Sequence, residues 1–204
     1  MDNSGARFDG LTYEALQTRI NEVGYPFFDQ GNYNLNLIGV RTRDRHSNAF
    51  NDILIVAYRN LGIGTLNFFP ITTDPGIYFR EHPVNVRGTA ILAQGHHSKL
   101  WTLGKHQGKY DALVQINNCV VYRDNNMDQV LDMCPTMADD GLHGINLHKA
   151  GHVSSQVDRW SAGCQVMAKQ DDYDILMAII KRSFHKWGPF WSYTLIDEEL
   201  LYGF

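Results

Sequence analysis

Hydrophobic residues near the start of the chain recur at the spacing of an amphipathic helix. The positions that share the apolar face are Leu11, Ala15, Leu16, Ile20 and Val23. Asp9 or Thr12 is suited to cap the start of this helix, and Gly24, which a Tyr-Pro pair follows, ends the run. The pattern predicts one helix, which either packs as a strap on the main domain or belongs to a separate binding module.

Most of the remaining chain carries the short runs of β-branched, aliphatic and aromatic residues that are typical of strands. These runs cover residues 34–40, 52–58, 68–71, 77–80, 89–94, 113–122 and 190–196. A second amphipathic helix is predicted from Asp171 to Gly188, with acidic residues at its start that suit the helix dipole. Its expected buried face consists of Ile175, Leu176, Ile179, Ile180 and Phe184. The chain is therefore predicted to be mainly β, a β-rich α+β fold.

Length and charge narrow the class of protein. With 204 residues, of which 44% are hydrophobic, the chain is long enough for one main core. We expect an N-terminal helical extension over residues 1–32 and a main domain over residues 33–204. The formal net charge of −4 argues against a nucleic-acid partner, because phosphate contacts require a basic face. No apolar run reaches about 18 residues, so we also expect no membrane insertion.

A histidine and a cysteine in the C-terminal half, His148 and Cys164, have the residue types of a nucleophile and its base. A thiol is a strong nucleophile only as the thiolate, and it therefore needs a base nearby. Gly163 gives the backbone the freedom for a sharp turn that presents the sulfur. The intervening residues are enough for a strand end, a loop and a return, so we expect the two side chains to meet.

The flanking residues of this pair resemble those of a known family. An apolar strand that ends at His148, followed by Ser161-Ala162-Gly163-Cys164, is similar to the catalytic domain of the L,D-transpeptidase family, whose motif is His-Gly, a loop and Ser-x-Gly-Cys. Residues 72–78 resemble the family's Thr-Pro-x-Gly-x-Phe segment. The resemblance implies an L,D-transpeptidase-like β-sandwich, with an N-terminal helix and a helix after the catalytic cysteine.

Three positions depart from the family's motif. Lys149 stands where a glycine usually follows the histidine, and Ala162 stands where His or Lys is frequent. Val166 stands where the family commonly has Arg or Asn, a residue that helps to hold the substrate's carboxylate. The nucleophile and the base are retained, so the departures concern how the acyl donor is held.

The resemblance implies acyl transfer through a thioester on Cys164. His148 would deprotonate the thiol, and the backbone carbonyl of Lys149 would orient the imidazole. Backbone N–H groups around Gly163 and Cys164 would stabilise the oxyanion. Ser161 would fix either the turn or the imidazole by hydrogen bonding.

Further residues are expected to contact the substrate. They are His143, Trp160, Gln165 and His106. His106 lies in the glycine-punctuated segment 94–110, which is suited equally to a ligand-binding loop and to an exposed one. Tyr110 and Trp101 either stack on sugars or belong to the core. Asp158, on the loop before the motif, is an alternative to Lys149 as the orienting group.

A zinc site is an alternative use of the same residues. His143, His148, His152 and Cys164 supply three imidazoles and one thiolate. His143 lies an odd number of residues from His148, so the two side chains point to opposite faces of a strand unless Gly144 opens a loop. We therefore expect no metal and no cofactor. Cys119 and Cys134 are interpreted as structural thiols, and the acidic segment 125–140 as an exposed loop without calcium-binding spacing.

The expected partner is peptidoglycan, and the expected activity is cleavage of its stem peptides by a phage-type lytic peptidase, with hydrolysis favoured over transfer. The alternatives are a transpeptidase or D-amino-acid exchange effector, a zinc-dependent hydrolase and a non-catalytic virion component. Residues 1–7 show no signal-peptide pattern. We therefore expect synthesis in the cytoplasm and action on the wall after holin-type release, within a virion or as a secreted effector.

Overall fold

The computed structural model describes residues 8–46 and 48–202. The helices are α1 (Tyr13–Glu22), α2 (Ile77–Glu81) and α3 (Gln170–Trp187). The strands are β1 (Asn36–Arg41), β2 (Asp52–Asn60), β3 (Ile63–Thr72), β4 (Thr89–Leu92), β5 (Gly95–His106), β6 (Tyr110–Gln115), β7 (Cys119–Asp124), β8 (Ala138–Gly141), β9 (Leu147–Lys149), β10 (Gln165–Met167) and β11 (Phe190–Asp197). Within these ranges, no helix has the length and apolar character needed to cross a membrane.

Eight of the strands close into a barrel in the order β1-β11-β5-β6-β9-β10-β3-β2, while β4, β7 and β8 form a separate sheet. The pairs β1–β11 and β9–β10 are parallel, and the other pairs in the barrel are antiparallel. The mainly β class is confirmed. The main sheet closes on itself, so each of its eight strands is paired on both sides. A barrel therefore stands where the resemblance implied a two-sheet sandwich.

Helix α1 packs on the outside of the barrel. Thr12 is its N-cap, and the Thr12 hydroxyl accepts a hydrogen bond from the N–H of Ala15 at 3.1 Å. The helix buries Leu16 and Ile20 in a cluster that also contains side chains of β1, β2 and β11, whereas Val23 is exposed. Because its apolar face shares a core with barrel strands, α1 is a strap on this domain.

Helix α3 covers the main core with a face rotated from the expected one. Its buried residues are Tyr173, Leu176, Met177, Ile179, Ile180 and Ser183. Ile175 and Phe184 were expected on that face but are exposed, because the buried stripe runs through Tyr173 and Met177 instead. Gly188 ends the helix with a φ of 85°, a conformation that favours glycine.

Several segments differ from their sequence-based expectations. The run 113–122 divides into β6 and β7, and residues 138–140 of the expected loop belong to β8. Residues 77–80 form α2 instead of a strand, because the apolar run is too short for its period to be read and Gly76 accepts the first helical hydrogen bonds. Residues 95–106 form β5 instead of a loop. This strand pairs with both β6 and β11, and it buries Leu100 and Trp101, so sheet pairing outweighs its glycines and polar residues.

Candidate active site

The candidate site is built on the adjacent parallel strands β9 and β10. Their register pairs His148 with Val166 and Leu147 with Gln165. Because side chains alternate along a strand, Cys164 lies on the same face as Val166 and therefore on the same face as His148. The register therefore places the two expected residues on one face of adjacent strands, and their direct contact stays a prediction.

A constrained turn presents Cys164. Gly163 has a φ of +126°, and a Cβ at this position would lie 2.5 Å from the carbonyl oxygen of Ala90. Its N–H donates to the Ser161 hydroxyl at 3.1 Å, and that hydroxyl donates to the Cys164 carbonyl at 2.8 Å. Ser161 was expected to fix either the turn or the imidazole, and these hydrogen bonds fix the turn. Since the Gly163 N–H is already donated, Gly163 shapes the turn and is not an oxyanion donor, contrary to expectation.

The thiol of Cys164 is half-buried beside the turn that precedes β9. It donates to the carbonyl oxygen of Gly144 at 3.3 Å. Burial raises the pKa of Cys164 to about 11, and the backbone N–H of Asn146, which faces the sulfur, opposes that rise. The resting site therefore holds a protonated thiol, whose activation requires a base at the moment of attack.

His148 is buried and has one defined tautomer. Its Nδ1 lies 2.9 Å from the carbonyl oxygen of Lys149. Because a carbonyl only accepts, Nδ1 carries the proton and Nε2 is left as the acceptor. The pKa of His148 is lowered to about 4. Burial is the largest cause and the neighbouring His106 contributes in the same direction, while the Lys149 carbonyl opposes the shift. This is the contact expected of the orienting carbonyl, and its catalytic role stays a prediction.

Two more rings surround His148. His106, at the end of β5, stacks on it with ring centroids 3.9 Å apart and an angle of 19° between the planes. The hydroxyl of Tyr110 donates to the Lys149 carbonyl at 3.2 Å and lies 3.4 Å from Nδ1 of His148. His106 was expected to contact the substrate, and the structure places it against the base. Tyr110 was considered only for stacking or the core, and the structure makes it part of the clamp on the base.

Gln165 does not face the site. It follows Cys164 directly, so alternation turns its side chain toward the inside of the barrel, where it is fully buried. There the Tyr193 hydroxyl donates to its Oε1 at 2.7 Å, and its Nε2 reaches the carbonyl of Thr73 at 3.5 Å. The expectation that Gln165 contacts the substrate is therefore wrong.

Asp158 does not orient His148 either. Its carboxylate accepts from the side-chain NH₂ of Asn48, and its own backbone N–H donates to the side-chain oxygen Oδ1 of Asn48 at 2.9 Å. These contacts fasten the loop before the motif to the loop after β1. Trp160, on the same loop, is 45% exposed with its ring beside Gly151. Its surface is open to a ligand, and its substrate contact stays a prediction.

The residues of the zinc alternative are separated by the fold. The ring of His143 is held by Arg123 at 3.0 Å and by the Asp139 carbonyl at 3.0 Å, and His152 is exposed. In the described part of the chain, no three His, Cys, Asp or Glu side chains come together as metal ligands do. His143 instead lines a cleft of about 290 Å³ together with Ala162 of the cysteine turn. His143 therefore lies on the same cleft as the cysteine turn, and the structure shows no contact between His143 and Cys164.

Tyr110 and Asn146 are the site residues that sequence reasoning missed. Tyr110 follows a glycine-containing hairpin turn, which a motif search could have noted. Nothing local shows that this hairpin pairs with β9, however, because the pairing joins distant segments. Asn146 lies two residues before His148, and alternation alone puts it on the catalytic face.

Comparison with family models, curated proteins and solved structures gave no significant match to this chain.

Proposed function

We propose that this protein is a cysteine-dependent acyl-transfer enzyme that cleaves peptidoglycan stem peptides, in the manner of a phage-type lytic peptidase. The observation that supports an enzyme is the juxtaposition on β9 and β10. A neutral histidine whose Nδ1 is fixed by a carbonyl shares a face with a cysteine presented by a strained glycine turn. The substrate class is proposed from the resemblance of the Ser-x-Gly-Cys motif to the L,D-transpeptidase family.

The geometry supports general-base activation instead of a resting ion pair. The pKa values of about 11 for Cys164 and about 4 for His148 keep both groups neutral near pH 7. As the sulfur attacks a carbonyl carbon, its proton moves to Nε2 of His148, and the carbonyl oxygen becomes an oxyanion. The proton then passes to the departing amine, which leaves a thioester on Cys164. Water or an amine resolves the thioester and regenerates the thiol.

The oxyanion requires a donor at the cysteine turn. The N–H of Gly163 is donated to Ser161, so we assign the N–H of Cys164 itself as the oxyanion donor at this turn. A preorganised backbone donor of this kind contributes about 3 kcal/mol to transition-state binding. The fixed turn therefore positions nucleophile and oxyanion donor in one residue.

The cleft of about 290 Å³ beside Ala162 is the proposed acyl-donor side of the site. Val166, at the position where the resembling family holds a carboxylate, is fully buried against β9 and cannot contact a ligand. The small side chains of Ala90 and Ala162 leave the cleft open next to the cysteine turn. We propose that the acyl donor occupies this cleft beside the cysteine turn and does not need the missing Arg or Asn.

The test is mass spectrometry of purified sacculi after incubation with the protein. Cleaved stem peptides support hydrolysis, and new crosslinks or exchanged D-amino acids support transfer. Cys164→Ala is expected to abolish the reaction, and His148→Ala to reduce it by about 10²–10⁴-fold, the range for a lost general base. Cys119→Ala, which removes a buried thiol from another sheet, is the matched control and is expected to retain activity.

Two outcomes would contradict the proposal at different levels. Muropeptides that emerge unchanged from several wall types would remove peptidoglycan as the substrate class. Full activity in Cys164→Ala would remove the cysteine as the nucleophile, whatever the substrate.

A further inference from the structure

The stacked pair of imidazoles, His106 on His148, is an arrangement that the acyl-transfer steps above do not use. The ring planes are nearly parallel at 3.9 Å, and the ring of Tyr110 lies 5.7 Å from His106. His148 is buried, whereas His106 is half-buried at the end of β5. His106 therefore covers the base and separates it from solvent.

The contacts of Asn146 define the protonation of His106. The Asn146 side-chain oxygen accepts the N–H of Gln115 at 2.9 Å, which directs its NH₂ group toward Nδ1 of His106 at 3.5 Å. An NH₂ group only donates, so Nδ1 of His106 is an acceptor and this ring is neutral. The backbone N–H of the same Asn146 faces the sulfur of Cys164. One residue thus links the neutral His106 to the nucleophile.

We propose that His106 is a positioning residue that holds the ring of His148 and, by remaining neutral, stabilises the imidazolium formed when His148 accepts the proton of Cys164. This inference rests on the proposed function. The face of a neutral aromatic ring attracts a cation stacked on it, so the pair favours the charged His148 of the transition state. A protonated His106 would repel that charge at the same distance.

The titratable groups around the pair are Lys109 and Tyr110 of the hairpin, Lys149 of β9 and Cys164. Burial lowers the pKa of His106, and Lys109 lowers it further. Lys149 lies over the ring of Tyr110, 5.1 Å from its centroid. The positive charge of Lys109 opposes protonation of His106 near neutral pH. Acidification should therefore inactivate the site when His106 itself takes up a proton.

The experiment measures alkylation of Cys164 by iodoacetamide, followed by mass spectrometry at pH values from about 5 to 9, where histidines titrate. All proteins carry Cys134→Ser, because Cys134 is exposed and would otherwise react first. His106→Ala is expected to slow alkylation near pH 7 by about tenfold, toward the rate of His148→Ala. His106→Phe keeps the stack and cannot be protonated. It is expected to retain most of the rate and to extend it to lower pH.

His185→Ala, at the exposed end of α3, is the matched histidine control and should behave as the parent protein. If His106→Ala does not fold, His106→Gln replaces it, because glutamine keeps a partner for Asn146 but removes the ring. The inference is overturned if the folded His106→Ala or His106→Gln protein alkylates like the parent, or if His106→Phe is as slow as they are. If His148→Ala also leaves alkylation unchanged, the base itself is misassigned and the proposed function fails with it.

Discussion

Two polar clusters are built on the same barrel and differ in how their hydrogen bonds and charges are satisfied. One is the arginine cluster, formed by Arg41, Asp52, Thr73 and Asp74. The other is the cysteine–histidine site, formed by Cys164, His148 and His106. Both are largely hidden from solvent, so both lose hydration on folding, and the first replaces much more of it with hydrogen bonds and ion pairs.

The arginine cluster is charged and densely bonded. The Arg41 guanidinium donates to the Thr73 hydroxyl at 2.9 Å, to the Thr73 carbonyl at 3.0 Å and to the Leu92 carbonyl at 3.0 Å. It also pairs with Asp74 at 3.0 Å. The Asp52 carboxylate accepts from the backbone N–H groups of Thr42 and Thr73 at 2.8 and 2.7 Å. These hydrogen bonds and the ion pair fix β1, β2 and the end of β3 to one another.

The cysteine–histidine site is neutral and sparsely bonded. The sulfur donates to one carbonyl, and Nδ1 of His148 is held by one carbonyl, which leaves Nε2 to accept a proton. Burial moves both pKa values away from the range in which the groups would be charged. The comparison teaches that a densely bonded buried cluster holds the fold, whereas a sparsely bonded one, in which Nε2 of the base is left to accept a proton, is available for chemistry.

The largest effect on stability is expected from Arg41→Ala. The substitution leaves Asp74 and Asp52 buried without their cation, which costs about 3–5 kcal/mol in the free energy of unfolding. Urea denaturation measures the loss. Arg43→Ala is the matched control, because Arg43 is exposed and pairs with Glu199 at the surface, so little change is expected there. A loss at Arg41 no larger than that at Arg43 would show that the cluster does not hold the barrel.

Local sequence patterns predicted the parts of the fold that depend on local interactions. Helix α1 begins directly after its N-cap Thr12 and ends shortly before Gly24, and the cysteine turn needs the positive φ that Gly163 supplies. Both features therefore follow from a few positions in the sequence. Strand β5 was missed because its pairing with β6 and with the distant strand β11 outweighs its glycines and polar residues. Whether the strands form a sandwich or a barrel depends on those same long-range pairings, which no local pattern encodes.

The candidate site was predictable to a similar extent. The nucleophile, the base and the Lys149 carbonyl lie in or near the motif. The structure shows the contact between His148 and that carbonyl, and it places His148 and Cys164 on one face of adjacent strands. His106 and Tyr110 come from the far end of the β5–β6 hairpin, so their contacts with His148 required the barrel register. Gln165 could have been corrected from the sequence, because alternation after Cys164 turns it inward.

A smaller effect on stability is expected from Gly163→Ala, which strains the backbone of the turn that presents Cys164. The new Cβ would lie 2.5 Å from the Ala90 carbonyl oxygen at a φ of +126°, so the backbone must shift at an expected cost of about 1–3 kcal/mol. Thermal or urea unfolding measures this cost, and the alkylation rate of Cys164 reports the displaced sulfur. Gly108→Ala is the matched control, since it also has a positive φ but an open surrounding. Equal losses at the two glycines would mean that the contact with Ala90 contributes nothing.

The last prediction distinguishes the two clusters by the sign of their pH dependence. Burial lowers the pKa of His148 from 6.5 to about 4, so its contribution to stability is complete above pH 6.5 and is lost as the pH falls through 4. Burial raises the pKa of Asp74 from 3.8 to about 7, so its contribution is complete below pH 3.8 and is lost as the pH rises through 7. Between about pH 4 and 6.5, the two groups therefore drive stability in opposite directions.

Substitution of each group separates these contributions. His148→Gln removes a group that destabilises the folded protein on acidification, so its unfolding free energy should fall less than that of the parent between about pH 6.5 and 4. Asp74→Asn removes the opposing group, so its unfolding free energy should fall more over the same range. Each difference is limited to about 1.4 kcal/mol per pH unit, the free energy linked to one proton. Urea denaturation across this range, read as slopes against pH, cancels any constant offset that the substitutions cause. Parallel slopes in all three proteins would mean that neither cluster has the protonation state that its burial dictates.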